Sequence, residues 1–146
     1  MPTLPAQVRQ NRGLSLPAQK TPGGYFHVKG AIDVAWGNLL QALFTPIGTR
    51  PFARTFGSTL NVVLFEPNIE QNASVIVYIV QTVAAQWVPM LEVIDVKVNI
   101  PVLSETVGRA VDIEVSFKLT GSNEISQRAL RVTRDDAIQA TKVSIP

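Results

Sequence analysis

The spacing of apolar residues changes twice along this chain, and the changes divide it into three parts. Residues 1–29 hold Pro2, Pro5, Pro17, Pro22, Gly13, Gly23 and Gly24 and repeat with a period of neither 2 nor 3.6. Such a stretch reads as an extended arm, ordered only where something holds it. From Ile32 the spacing turns helical: Ile32, Trp36, Leu39, Leu40 and Leu43 share a face. Asp33 is the expected N-cap and Thr45-Pro46 the stop, which predicts a first helix over about residues 34–44. A loop rich in Arg, Pro and Gly follows. Ser58 to Phe65 is then a short apolar segment that Ser58 or Thr59 is placed to cap as a helix.

The next segment carries the strongest helical pattern. Asn68 with Gln71 makes a capping box. Ile69, Ala73, Ile76, Val80, Val83 and Trp87 then step by 4, 3, 4, 3 and 4. Val75, Val77 and Ile79 widen the stripe, so two sides are expected to be covered, and Pro89 ends the run. Beyond it the period becomes 2. Ile94, Val96, Val98 and Ile100 alternate with Asp95, Lys97 and Asn99, and Val111 to Leu119 alternate in the same way. Each strand therefore has one apolar face, as in an antiparallel pair joined by Pro101–Gly108. The parity slips between Val93 and Ile94, which marks a bulge. A turn at Thr120–Asn123 leads to a third strand over Ile125–Val132, and Ala137–Ile145 is a short last strand or an arm. The fold class is α+β: an N-terminal extended arm, two or three helices, then an antiparallel β-meander of three to four strands. The expected divisions are an arm over 1–30, one domain over 31–133 and a C-terminal strand or arm over 134–146.

Composition adds three points. Charged residues make up 16% of the chain, below the usual ~25%, and a surface short of charge suits contact with partners. The net charge of +2 is too small to argue for nucleic acid, although residues 1–29 carry Arg9, Arg12, Lys20 and Lys29 and no acid. With no cysteine, disulfides, zinc–thiolate sites and cysteine nucleophiles are excluded. The N-terminus has no apolar core of a secretory leader and no run is long enough to span a membrane, so synthesis in a cytoplasm is expected.

Candidate chemistry is sparse. His27 is the single histidine and lies in the arm, so neither a serine triad nor a two-histidine metal site is expected. Glu66 and Glu70 stand one helical turn apart, but such a pair lacks the facing geometry of a glycosidase. Glu70 reads as a first-turn residue and Glu66 as a partner of Arg50 or Arg54 that braces the loop. Gly48 and Gly57 flank these arginines without forming a phosphate-binding loop, since no Lys follows the second glycine. Trp36, Phe44, Phe52, Phe56, Phe65 and Trp87 are expected in the core. No cofactor, metal or catalytic residue is assigned.

The segment LFTPIGTRPFARTFGSTLNVVLFEPN, then a long striped helix ending in QWVPMLEVIDVKV, resembles the gene 25-like baseplate wedge family of contractile phage tails, which includes a type VI secretion baseplate component. Gly48, Arg50, Pro51, Phe56, Gly57, Leu60, Leu64, Phe65, Glu66, Pro67, Trp87, Pro89, Leu91, Asp95 and Val96 fall in the family's order, over roughly residues 32–119. The family's E-P-R tripeptide reads Val88-Pro89-Met90 here, and the acid before its F-G is Thr55. The resemblance implies a non-enzymatic sheath initiator, present in several copies around a symmetric baseplate, whose sheet is completed by arms of the first sheath ring. It implies a contact with the baseplate core through Arg50, Arg54, Glu66, Trp87, Val88, Pro89 and Met90. The sheath contact is expected along a sheet edge and arm holding Ile125, Leu130, Val132, Ile138 and Val143. Expected partners are other wedge proteins and sheath subunits, with tail-tube or hub proteins as further candidates, and neither nucleic acid nor membrane. The expected place is the virion tail, assembled in the host cytoplasm. The alternatives are a type VI secretion or tail-derived injection component and, further off, a lysozyme-like hydrolase.

Overall fold

The computed structural model describes residues 13–14, 20, 22, 28–65, 71–100 and 110–133. Two short strands, β1 (Gly13–Leu14) and β2 (Val28–Lys29), pair antiparallel within the N-terminal stretch. Three helices follow, α1 (Ala31–Phe44), α2 (Leu60–Phe65) and α3 (Ala73–Trp87). Strands β3 (Leu91–Asn99), β4 (Ala110–Leu119) and β5 (Ile125–Thr133) then form an antiparallel sheet in the order β3-β4-β5. This is the α+β meander that the change of period predicts. The expected connection at Pro101–Gly108, the last segment Ala137–Ile145 and the Asn68 end of the long helix lie outside the described residues.

Helices cover one face of the sheet because only one face is apolar. Register places Leu91 opposite Leu119, Val93 opposite Phe117, Val96 opposite Val115 and Val98 opposite Ile113; β5 sets Leu130 against Ile113 and Val132 against Val111. Against this face α3 packs on β3, while α1 packs on α3 and β4. Trp36 of α1 stacks parallel on Phe117, ring centroids 5.7 Å apart, and Phe117 is fully buried. The other face is polar: Lys118 pairs with Glu92 at 3.2 Å, and Arg131 makes two hydrogen bonds to Asp112 at 2.6 and 2.9 Å.

The bulge falls where the parity slips. Val93 pairs with Phe117 and Asp95 with Ser116, so Ile94 is the unpaired residue. The extra residue keeps Leu91, Val93, Val96 and Val98 on the inner face, and Ile94, expected on that face, is exposed instead. Two helix starts also differ from expectation. The first helix begins at Ala31 with Gly30 as N-cap. Asp33 lies within its first turn and accepts a 2.6 Å hydrogen bond from Arg128, a residue of the inner face at β5. An acid three residues inside the helix also suits the positive end of its dipole. The third helix begins at Ala73, after Asn72, so part of the expected stripe precedes it. Its buried side holds Ile76, Ile79, Val80, Val83 and Ala84, while Val75 and Tyr78 are exposed.

Candidate docking surfaces

The loop between α1 and α2 is built from backbone bonds and small residues. Thr45 closes α1, its amide and hydroxyl both donating to the Gln41 carbonyl. Thirteen residues later the chain returns: Ser58 N–H donates to the Thr45 carbonyl at 2.9 Å. Ser58 itself is buried and doubly used. Its hydroxyl donates to the Leu43 carbonyl and accepts from the Leu60 amide at 3.1 Å. Of the two residues expected to cap α2, Thr59 stands at the cap position, its carbonyl accepting from the Val62 and Val63 amides, while this second bond of Ser58 satisfies one of the donors a helix start leaves open. Gly57 passes so close to α1 that a Cβ there would stand 2.2 Å from the Thr45 carbonyl oxygen, and its φ is +121°. Only glycine fits both conditions. Inside the loop Gly48 N–H donates to the Arg54 carbonyl at 3.0 Å and Ala53 N–H to the Arg50 carbonyl at 3.3 Å. The result is a compact loop with its ends joined.

The candidate contact residues divide. Arg50 and Trp87 are brought together through Phe56: the Arg50 guanidinium lies 4.4 Å from the Phe56 ring centroid, and that ring meets Trp87 edge-on at 5.0 Å. This cation–π and aromatic ladder ties the loop to the end of α3. Arg54 is exposed. Val88 is buried in the chain's own core, Met90 is half-buried against it, and Pro89 is exposed. The Pro89 and Met90 carbonyls accept from the Thr120 hydroxyl and amide at 3.1 and 3.0 Å. The turn after β4 thereby holds the segment where the family pattern has its charges. Glu66, and with it the predicted brace to an arginine, lies outside the described residues, as do Ile138 and Val143.

On β5, Ile125 is exposed, whereas Leu130 and Val132 are buried on the inner face. A strand added beside β5 would therefore meet its backbone, with these two side chains already committed to the core. Among the described residues β3 and β5 each pair on one side only. An open depression between α3 and β3 is lined by residues that include Ala84, Ala85, Pro89, Leu91, Glu92 and Val93. Among the described residues no group of three His, Cys, Asp or Glu side chains is placed to hold a metal ion, and no helix is long and apolar enough to cross a membrane.

Two features escape a reading by periodicity. Phe52, expected in the core, stands fully in solvent at the loop tip with φ +63°. The loop is held by backbone bonds, so its tip has no apolar layer to fold back onto. The other feature is a charge-free run, Gln71 to Leu91, which leaves the outer side of α3 uncharged around Val75 and Tyr78; exposed Val62 of α2 is a further apolar residue outside the core. The run itself is visible in the sequence.

No protein-family model and no curated protein matches the chain. Several chains of solved structures share its fold, two of them as follows. A Geobacter sulfurreducens protein described as a candidate tail lysozyme superposes with a TM-score of 0.64 at 16% identity, over 77% of this chain and 100% of its own. The cryo-electron-microscopy structure of the anti-feeding prophage baseplate, 6-fold symmetrised, contains a chain that superposes with a TM-score of 0.63 at 12% identity. That match covers 79% of this chain and 90% of the baseplate chain. The fold is thus one found in the baseplate of a tail-like particle.

Proposed function

We propose that this chain is a structural baseplate component of a contractile tail, a wedge protein that nucleates sheath assembly by offering a sheet edge to the first sheath ring. The observation that carries the reading is the fold shared with the anti-feeding prophage baseplate chain over most of both lengths. The meander supports it, because a free soluble protein normally blunts edge strands, and β3 and β5 are each paired on one side only among the described residues. Several copies would sit around a symmetric baseplate beside other wedge proteins, with sheath arms adding strands. The place of action is the tail particle, and neither nucleic acid nor membrane takes part.

Deleting residues 1–20, or separately 137–146, is expected to leave the helix–sheet domain folded while impairing sheath polymerisation. Circular dichroism checks the first statement and electron microscopy of tails the second. Normally sheathed tails from both deletions would overturn the role of the arms. Genes beside this one separate a phage tail from a type VI secretion or other tail-derived system.

The Geobacter protein's description keeps a hydrolase as a second reading. Glycoside hydrolysis uses two carboxylates facing across a cleft. Among the residues lining the depression beside α3, Glu92 is the one carboxylate, and Lys118 holds that group at 3.2 Å. This favours the structural reading. Clearing of a cell-wall suspension by the purified chain, lost in Glu66→Gln, would reverse the preference.

A further inference from the structure

Phe52 combines two costs that the fold does not recover. Its ring is wholly exposed, and its φ of +63° lies in the left-handed region that a bulky side chain disfavours. Glycine or asparagine at this position would remove the backbone strain and the exposed apolar surface together. Nothing in the loop uses the ring: the closure bonds run between backbone groups of Thr45, Pro46, Gly48, Arg50, Arg54 and Ser58. The same closure makes the ring's position predetermined. Pro51 restricts the backbone immediately before it, and the Arg50–Phe56–Trp87 ladder fixes the loop to α3. A rigid loop presenting one aromatic ring binds at low entropic cost, which is the character of an anchor residue at a protein interface.

The charge around the ring indicates what it meets. Arg50 and Arg54 flank Phe52 at two residues on either side, and no acid occurs between Asp33 and Glu66. Both arginines are exposed. We infer that the 45–59 loop is a preformed plug, with Phe52 entering an apolar socket on another protein and acidic side chains at the socket rim meeting Arg54 and the outer side of Arg50. A membrane is a poorer fit, since one ring and two cations supply little insertion. Nucleic acid is poorer too, because stacking surfaces set several aromatics beside basic groups and this loop tip offers one. The inference rests on the assembly reading above only for where that protein is found, namely among the other baseplate components.

The test uses cells that make the particle but lack this gene, complemented with tagged full-length chains. Phe52→Gly is expected to leave the thermal midpoint of the purified chain unchanged or raised while lowering its recovery in purified particles by about tenfold or more. Arg54→Glu should lower recovery by a smaller factor, and Arg54→Lys should largely restore it. A photo-reactive benzoylphenylalanine at position 52 should cross-link to one particle protein, at an apolar site bordered by Asp or Glu. Normal recovery of Phe52→Gly, a drop in its thermal midpoint, or adducts to lipid, nucleic acid or nothing would each overturn the inference. Wild-type chain missing from particles would instead sink the baseplate reading, and the cross-link would then decide the plug by itself.

Discussion

The helix–sheet core and the 45–59 loop are both ordered, but by different means. In the core, side chains do the holding. Trp36 lies flat on Phe117, and Ile113, Leu130, Ile76 and Leu39 are closed off from water around them. The loop buries little beyond Ser58 and Gly57 and is held mainly by backbone donors finding backbone acceptors, with the Ser58 hydroxyl and the Arg50–Phe56–Trp87 ladder as side-chain ties at its base. A core position therefore tolerates changes of shape poorly and changes of backbone preference better, while the loop should show the reverse. The difference also explains the surfaces: a core ordered by side chains has none to spare, and a loop ordered by its backbone can present Phe52 and Arg54 outward.

The largest expected effect is in the core. Phe117→Ala should destabilise the fold by about 3–5 kcal/mol, combining lost burial with a cavity under Trp36; urea unfolding measures it. A loss under 1 kcal/mol would show that Trp36 collapses into the gap. Next comes the loop's tightest point. Gly57→Ala should cost about 2–3 kcal/mol, since the new Cβ meets the Thr45 carbonyl and φ is positive. Chain return would loosen first, and hydrogen exchange at the Ser58 amide reports it before global unfolding. Gly48→Asn makes the control. Gly48 also has positive φ, at +89°, but open space around its Cβ position. Asn tolerates that conformation, so the loss should stay below about 1 kcal/mol.

The smallest effect concerns the outer face of the sheet. The hydrogen bond from Arg131 holds the Asp112 carboxyl below its usual value, against an opposing push from partial burial, and the charge of Arg131 adds to it. A lowered carboxyl pKa contributes stability that is fully present above the unfolded value of about 3.9 and is lost as pH falls through the folded value. Asp112→Asn should therefore be slightly less stable than the parent at pH 7, with the two unfolding curves converging below pH ~3.9. A difference that persists unchanged at pH 2 would show that the pair acts through packing and not through charge.

Much of this was legible in the chain. The period of 2 marked β3 and β4, the turn after β4 pointed to β5, and the parity slip located the bulge at Val93–Ile94, because a strand with one apolar face cannot add a residue without a visible break in alternation. Thr45-Pro46 as a stop, Ser58-Thr59 as the start of α2 and Thr120–Asn123 as a turn were legible for a similar reason, since their effects act on neighbours within a few residues. Of the docking residues, Arg50 and Trp87 were named separately, but their joining through Phe56 was not.

What the sequence alone determined is thus local: periodicity, stops and the charge-free run from Gln71 to Leu91. Tertiary structure decided the rest. Asp33 is chemically suited to cap a helix, yet Gly30 takes that place and Asp33 bonds to Arg128, 95 positions away in sequence. Ile94 and Phe52 are as apolar as the buried residues of the core. Ile94 is turned outward by the bulge, and Phe52 by a loop whose order comes from its backbone. Hydrophobicity states what a side chain gains from burial. Only the assembled layers decide whether there is anything within reach to bury it against.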